Sequence, residues 1–267
     1  MSLGSTESTV VVTGAAGAIG SRTAAAFLGA GFSVLGLDRQ TVESARDAGI
    51  LDGPHPQDKA AGRYLHAVVD VMDARQLAVT LERHRSMGPL AHVLSIAGGA
   101  APGETAVTDP ADVDDALFRS SIELNLVAQF GLVRCCLPWL RQSAAAVGDR
   151  SIALTSSLNG LRGVDLFGYS AAKAGVNGLT RVLSTSLGPE GIRVNAVAPG
   201  TVRTPRTERA WAHDRDHFDR LSQKAALERL STAEEVGQAF LALASALTSV
   251  TGHVLCVDAG QTVAWRY

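Results

Sequence analysis

Seven short apolar runs, separated by stretches of helical periodicity, constrain the fold of this chain more than any other feature. The runs are Val10–Val12, Ser33–Leu37, Leu65–Val69, His92–Ile96, Ser151–Thr155, Val194–Val197 and Val254–Val257. Helical patterns fill the intervals at Ile19–Leu28, Ala74–Arg85, Asp112–Leu140, Tyr169–Leu187 and Thr232–Ala244. Strands that are apolar throughout are buried on both faces, and strands that alternate with helices pair in parallel. Right-handed crossovers then predict an α/β fold, a Rossmann-like doubly wound parallel sheet of about seven strands with helices on both faces. No repeat or linker divides it. Residues 9–267 are expected to form a single domain behind a disordered tail at 1–8, with Gly53–Gln57 as a loop. Residues 201–224 break the rhythm. They are charged, carry Trp211 and Phe218, and follow the carboxyl end of a strand, which predicts a lid.

Composition narrows the partners. A formal net charge of -2, with Lys and Arg spread along the chain, leaves no electrostatic footprint for nucleic acid or an anionic membrane. No apolar stretch approaches the roughly 20 residues that span a bilayer. Met1–Ser8 lacks the apolar segment of a signal peptide. The three cysteines, Cys135, Cys136 and Cys256, form no CxxC pair and no even disulfide framework, which predicts a reducing, cytoplasmic setting. His213 and His217, flanked by Asp214 and Asp216, lack a third clustered ligand, so no metal is expected and a solvated helical turn is.

The first strand runs into Thr13-Gly14-Ala15-Ala16-Gly17-Ala18-Ile19-Gly20. A turn from strand to helix needs glycine where the backbone lies against itself or a ligand, and the helix behind it offers free N–H groups to a pyrophosphate. Asp38 ends the second strand, placed to accept both ribose hydroxyls of an adenosine and to repel a 2′-phosphate, which favours NAD over NADP. Arg39 argues the other way, since a guanidinium can cradle that phosphate. Asp70 and Val71, at the end of the third strand, suit an adenine pocket. Ala97 and Gly98, with Gly99, end the fourth, where the backbone is to pass close to a ribose.

Tyr169 and Lys173 stand four apart in a helical pattern and share a face. A free phenol has a pKa near 10, and bringing it to about 7 takes roughly 4 kcal/mol of preference for the phenolate. A desolvated ammonium on the same face and an oxidised nicotinamide can supply that. Thr155-Ser156-Ser157 ends the fifth strand, and Ser157 is the candidate donor that polarises the reacting oxygen. Asn125, an amide on a mostly apolar helix, requires a buried partner. Its two readings are a water that links Lys173 to solvent and a helix–helix hydrogen bond.

Together these residues resemble a short-chain dehydrogenase/reductase of the compact, single-domain type, from about Thr9 to Gly260. That family's TGxxxGxG turn falls on Thr13–Gly20, its YxxxK on Tyr169 and Lys173, its serine on Ser157 and its helix asparagine on Asn125. Arg193–Gly200 is similar to the stretch that leads into the nicotinamide loop. The resemblance implies that Pro199, Gly200, Val202 and Thr204 line the cofactor, with Val202 and Thr204 at the carboxamide and phosphates. Thr251-Gly252 and Val257–Gly260 resemble the C-terminal strand signature. Three departures stand out. Ala18 replaces the middle glycine of the turn. Ser95-Ile96-Ala97-Gly98 replaces NNAG, so an asparagine that ties strands together is missing. The serine-to-tyrosine interval is one residue short, with a loop trimmed at Val164–Phe167, which leaves Ser156 as an alternative to Ser157.

The expected activity is hydride transfer between NAD(H) and a small-molecule secondary alcohol or ketone. Tyr169 exchanges the proton, Ser157 polarises the oxygen, and Lys173 tunes Tyr169 and grips the ribose. The rivals are an NADP-dependent ketoreductase and a non-catalytic dinucleotide-binding redox sensor. The resemblance also implies a homo-oligomer, a tetramer or dimer, built on the long helices and the last strand.

Overall fold

The computed structural model describes residues 8–51, 55–58, 62–164, 166–214 and 216–264. Residues 1–7 of the predicted tail, Gly53 and Pro54 of the predicted loop, Asp165 of the trimmed loop and Arg215 of the lid lie outside the described residues. Among the described residues the strands are β1 (Thr9–Thr13), β2 (Ser33–Asp38), β3 (Tyr64–Val68), β4 (Leu90–Ser95), β5 (Arg150–Thr155), β6 (Ile192–Pro199) and β7 (Val254–Val257). They form one sheet in the order β3-β2-β1-β4-β5-β6-β7, every pair parallel. The order reverses between β1 and β4. That is the switch point at whose carboxyl end open α/β sheets bind ligands.

The helices are α1 (Ala18–Gly29), α2 (Val42–Asp47), α3 (Ala74–Arg83), α4 (Asp115–Ile122), α5 (Ala128–Gln142), α6 (Asn159–Arg162), α7 (Phe167–Leu187), α8 (Pro205–Ala210), α9 (His217–Lys224) and α10 (Ala233–Leu241). Alternate strand residues feed two cores, because successive side chains of a strand point to opposite faces. On one face Val11, Leu35, Val93, Ile152 and Val194 pack against Leu77 of α3, Leu132 and Cys136 of α5, and Val176 and Leu183 of α7. On the other, Val10, Val12, Val34, Leu94 and Val197 pack against Phe27 of α1 and Val236 and Phe240 of α10. Among the described residues no helix is long and apolar enough to cross a membrane.

The predicted helix at 112–140 differs from the one observed. It begins at Asp115, capped by the Asp114 side chain, and runs to Gln142, with a wide π-type turn over Glu123–Val127 between α4 and α5. Such wide turns concentrate at functional sites, because they release a backbone carbonyl from the helical ladder. Asn125 sits in this one. The lid region is also more regular than a loop. Thr204 caps α8 through a reciprocal pair with Thr207, and Trp211 stacks on His217 with ring centroids 3.7 Å apart. His217, expected in a solvated turn, therefore lies against an indole, beside the buried Phe218.

Candidate active site

At the carboxyl end of β1 the glycine turn is held together by backbone. Gly17 N donates to Gly14 O at 3.0 Å, and Ala15 N donates to Leu37 O at 3.2 Å. A methyl group on Gly20 would stand 2.6 Å from the Gly14 carbonyl carbon and closer still to its oxygen, so only glycine lets α1 start this close to the strand. Gly17 caps α1 without a side-chain hydrogen bond, and the first turn, with Ala18 and Ile19, carries no acidic residue. Its N-terminal N–H groups and the positive end of its dipole are therefore open to an anion. A cavity of about 390 Å³ joins this turn to the lid, lined by Ala18, Arg22, Arg203, Thr204 and Pro205 among others.

Asp38 does more than end β2. Its Oδ2 accepts from Ala16 N at 3.0 Å and its Oδ1 from Gln40 N at 3.2 Å, so the carboxylate is fixed against the glycine turn while Arg39 is exposed. The turn has a second support absent from the sequence reading. Buried His55 approaches Ala15 O through Nε2 at 3.0 Å and accepts Gln57 N at Nδ1, which fixes the neutral ring with its proton on Nε2. Burial holds its pKa below the ordinary histidine value. Asp70 is exposed and Val71 half-buried, and the Asp70 carboxylate accepts from Met72 N at 2.9 Å.

The strand tie that the Ser95-Ile96-Ala97-Gly98 sequence left open is made by two threonines. Thr13 Oγ1 accepts from Ile96 N at 2.9 Å and Ala97 N at 3.1 Å, and Thr155 Oγ1 donates to Ser95 O at 2.6 Å. The end of β4 is thus fixed from both neighbouring strands.

The catalytic candidates meet on the other side of β4. Asn125 Oδ1 accepts from Gly99 N at 2.8 Å, and its Nδ2 donates to Gly99 O and to Ser121 O, both at 3.0 Å. The amide clamps the β4 exit loop, a partner that neither reading of the sequence named. Gln129 Nε2 donates to the Asn125 carbonyl at 2.7 Å and to Thr155 O at 3.0 Å, while Thr155 N donates back to Gln129 Oε1. Lys173, 1% exposed, donates from Nζ to the same Thr155 O at 2.8 Å and lies 5.4 Å from the centre of the Tyr169 ring. Burial pulls the Lys173 ammonium down to about 7.

The two serines part company. Ser156 Oγ is buried and donates to Asn177 Oδ1 at 2.6 Å, so it serves the packing of α7. Ser157 Oγ accepts from Asn159 N at 3.2 Å, and its hydroxyl acts to lower the Tyr169 phenol. Burial pushes the Tyr169 phenol up, the Ser157 hydroxyl and the positive charge of Arg206 oppose this, and the charge of Glu104 adds to it.

Glu104 and Arg206 were not legible in the sequence. Helix α7 begins after Leu166, a residue at φ 53 with no capping side chain. Glu104, 4% exposed, supplies the missing acceptor from 65 residues away, its Oε1 taking Tyr169 N at 2.7 Å. Its Oε2 takes Ala101 N at 3.0 Å and the Ser121 hydroxyl at 2.9 Å. On the lid side, Gly200 N donates to Val257 O, Thr201 N donates to Gln261 Oε1, and the buried Val202 bridges Ser231. The Thr204 hydroxyl is engaged in capping α8.

A family model described as enoyl-(acyl carrier protein) reductase matches residues 14–262. An uncharacterized short-chain type dehydrogenase/reductase of Sinorhizobium fredii is 33% identical, over 96% of this chain and 97% of its own length. A cis-4-hydroxycyclohexanecarboxylate dehydrogenase of Sinomonas cyclohexanicum is 34% identical, over 96% and 97%. A carveol dehydrogenase of Mycobacterium avium, solved in complex with NAD, superposes with a TM-score of 0.82 at 27% identity, covering 95% of this chain and 97% of that one. With the glycine turn, the parallel sheet and the Tyr/Lys helix on one edge, this chain belongs to the short-chain dehydrogenase/reductase family and is an oxidoreductase.

Proposed function

We propose that the chain interconverts a secondary alcohol and a ketone with NAD(H), using Tyr169 as the acid and base. The observation that carries this reading is the meeting of three groups at the switch-point edge of the sheet. A half-buried phenol stands beside the Ser157 hydroxyl, and the desolvated Lys173 lies under the ring. The uncapped α1 terminus and the close approach at Gly20 fit a dinucleotide's pyrophosphate. Ala18, Ile19, Thr204 and Arg203 would line it, with Pro199, Gly200 and Val202 towards the nicotinamide.

When bound, the nicotinamide accepts or gives the hydride at the carbinol carbon. In oxidation Tyr169 takes the hydroxyl proton, and in reduction it returns it. Ser157 donates a hydrogen bond to the same oxygen and holds it in line. The Lys173 charge favours the phenolate by attraction across the ring, and Asn125 and Gln129 hold the backbone around it. Asp38 favours NAD, because a carboxylate fixed at the end of β2 accepts ribose hydroxyls and repels a 2′-phosphate. Arg39 beside it is exposed, and tighter binding of NADPH would give it control of the pocket.

A nicotinamide-fluorescence titration with NADH and NADPH tests the cofactor, and the expected result is tighter NADH. The first alcohol to offer is cis-4-hydroxycyclohexanecarboxylate, the compound in the name of the Sinomonas relative. Tyr169→Phe is expected to lower kcat by about 10²- to 10⁴-fold with NADH still bound. Full activity in that variant would defeat the reading. We also propose a homo-oligomer, supported by apolar side chains left outward on α5 and α7, such as Phe130 at 44% and Val182 at 57% exposure. Light scattering on the purified protein tests this, and a monomer would count against it.

A further inference from the structure

We infer that the substrate is an anion and that Arg206 is the group that receives its carboxylate. This deepens the alcohol–ketone reading and rests on it. Arg206 stands in the first turn of α8, at the start of the lid, and reaches back across the cleft to the exit of β4. There Nη1 donates to Gly98 O at 3.1 Å and Nη2 donates to Ala100 O at 2.8 Å. The guanidinium lies flat over Gly99, where a Cβ would stand 2.7 Å from Cζ, so any larger residue at that position would expel it.

Three features distinguish this arginine from a plain latch between lid and core. It stands beside the reacting groups: Gly98, whose carbonyl it holds, lies so close to Lys173 that a Cβ there would stand 3.5 Å from Nζ, and the guanidinium charge pulls the Tyr169 phenol down from the value that burial imposes. Among the described residues no carboxylate pairs with it, whereas Arg203 in the same segment is matched by Glu208 at 2.7 Å. It is also exposed, so it can leave the two carbonyls without disturbing the core. A cation in the first turn of a helix sits at the unfavourable end of the dipole, so helix stability does not account for it.

The two carbonyl oxygens that now take the fork have the spacing role of a carboxylate's two oxygens, but they are neutral. A carboxylate offers the same planar, two-point match with full charge, and such pairs are roughly twice as strong as neutral hydrogen bonds. An alcohol with its oxygen between Ser157 and Tyr169 and a carboxylate a few bonds away would displace Gly98 O and Ala100 O from the guanidinium. The phenol's proton transfer and the recognition of the anion then share one side of the cleft. Glu104, the buried carboxylate at the start of α7, is already committed to Ala101 N, Ser121 and Tyr169 N and does not compete.

The test compares cis-4-hydroxycyclohexanecarboxylate and a set of straight-chain 3-hydroxy acids with their methyl esters. The proteins are the unmodified chain, Arg206→Leu and Arg206→Lys, each shown to be folded by NADH titration. The unmodified chain is expected to prefer acid to ester. Arg206→Leu should lower the acid-to-ester ratio of kcat/KM by about 10- to 100-fold, the size of one lost charged hydrogen bond. Arg206→Lys, which keeps the charge and loses the fork, should fall between them. Equal losses on acid and ester would make Arg206 a latch and overturn the inference. Esters turned over as well as acids by the unmodified chain would also overturn it, with the alcohol–ketone reading left standing. Turnover of neither set by protein that binds NADH would defeat that reading and the inference with it.

Discussion

The glycine-turn end of the cleft and its Tyr/Lys end are built from different material. At the glycine turn, backbone meets backbone. Gly20 lies against the Gly14 carbonyl, and Gly17 and Ala15 bond to main-chain oxygens within one strand–turn–helix unit and its neighbour. At the Tyr/Lys end, buried polar side chains hold the geometry. Asn125, Gln129, Glu104 and Lys173 bridge segments that lie 18 to 65 residues apart in the chain. Backbone packing of the first kind tolerates no added atom, whereas a side-chain network can lose a member and keep its shape at a graded cost.

Substitutions at each end should therefore fail in different ways. Gly20→Ala is expected to have the largest effect. Its methyl has no room beside Gly14, so NADH binding should be lost and stability should fall by about 3 kcal/mol or more, read by titration and urea denaturation. Binding within threefold of the unmodified chain would show that the turn can shift, and would erase the contrast.

Lys173→Met comes next and concerns charge. The Lys173 pKa, depressed to about 7, lies well below the roughly 10.4 of an unfolded lysine. Between these values the native state binds fewer protons than the unfolded chain, so this group makes stability climb from about pH 7 towards pH 10. The contribution is lost as pH falls through about 7. Removing the amine should flatten that climb, on the order of a few kcal/mol, in urea midpoints compared across pH. Thr155 O keeps Gln129 as a donor, so the fold should persist. A climb of equal size in the variant would mean that another group titrates there.

Glu104→Gln should give the smallest change and the sharpest reading. The amide cannot accept all three donors, which predicts a loss of about 1–3 kcal/mol. The pH–rate profile carries the information that packing alone would not. The carboxylate's charge holds the phenol up, so its removal should move the Tyr169 ionisation to lower pH. An unmoved profile with the same loss of stability would reduce Glu104 to a helix cap.

The same contrast explains what could be read from the sequence. Gly14, Gly17 and Gly20 announce themselves by local spacing, and Tyr169 and Lys173 by the four-residue repeat of one helix face. The strands lie where continuous apolar runs put them, with ends shifted by at most two residues. Glu104 gives no such signal, because its partners are remote and its neighbours are loop residues. Thr13 and Gln129 look like an ordinary strand end and an ordinary helix polar residue until β4 and β5 come alongside. The wide turn at Glu123–Val127 has no periodicity of its own, since one extra residue in a turn changes no composition.

That turn has a consequence for how the long helix works. An α-helix advances about 100° per residue, so a single inserted residue rotates everything beyond it by nearly a third of a circle. Before the turn, Ser121 faces Glu104 and the start of α7. Beyond it, Leu132, Val133 and Cys136 face the sheet. One rod thus presents two phases, one towards Glu104 and the start of α7 and one towards the sheet, with Asn125 at the seam. Removing one residue from 123–127 would bring the rod back into a single phase, leaving it able to face the sheet or α7 but not both.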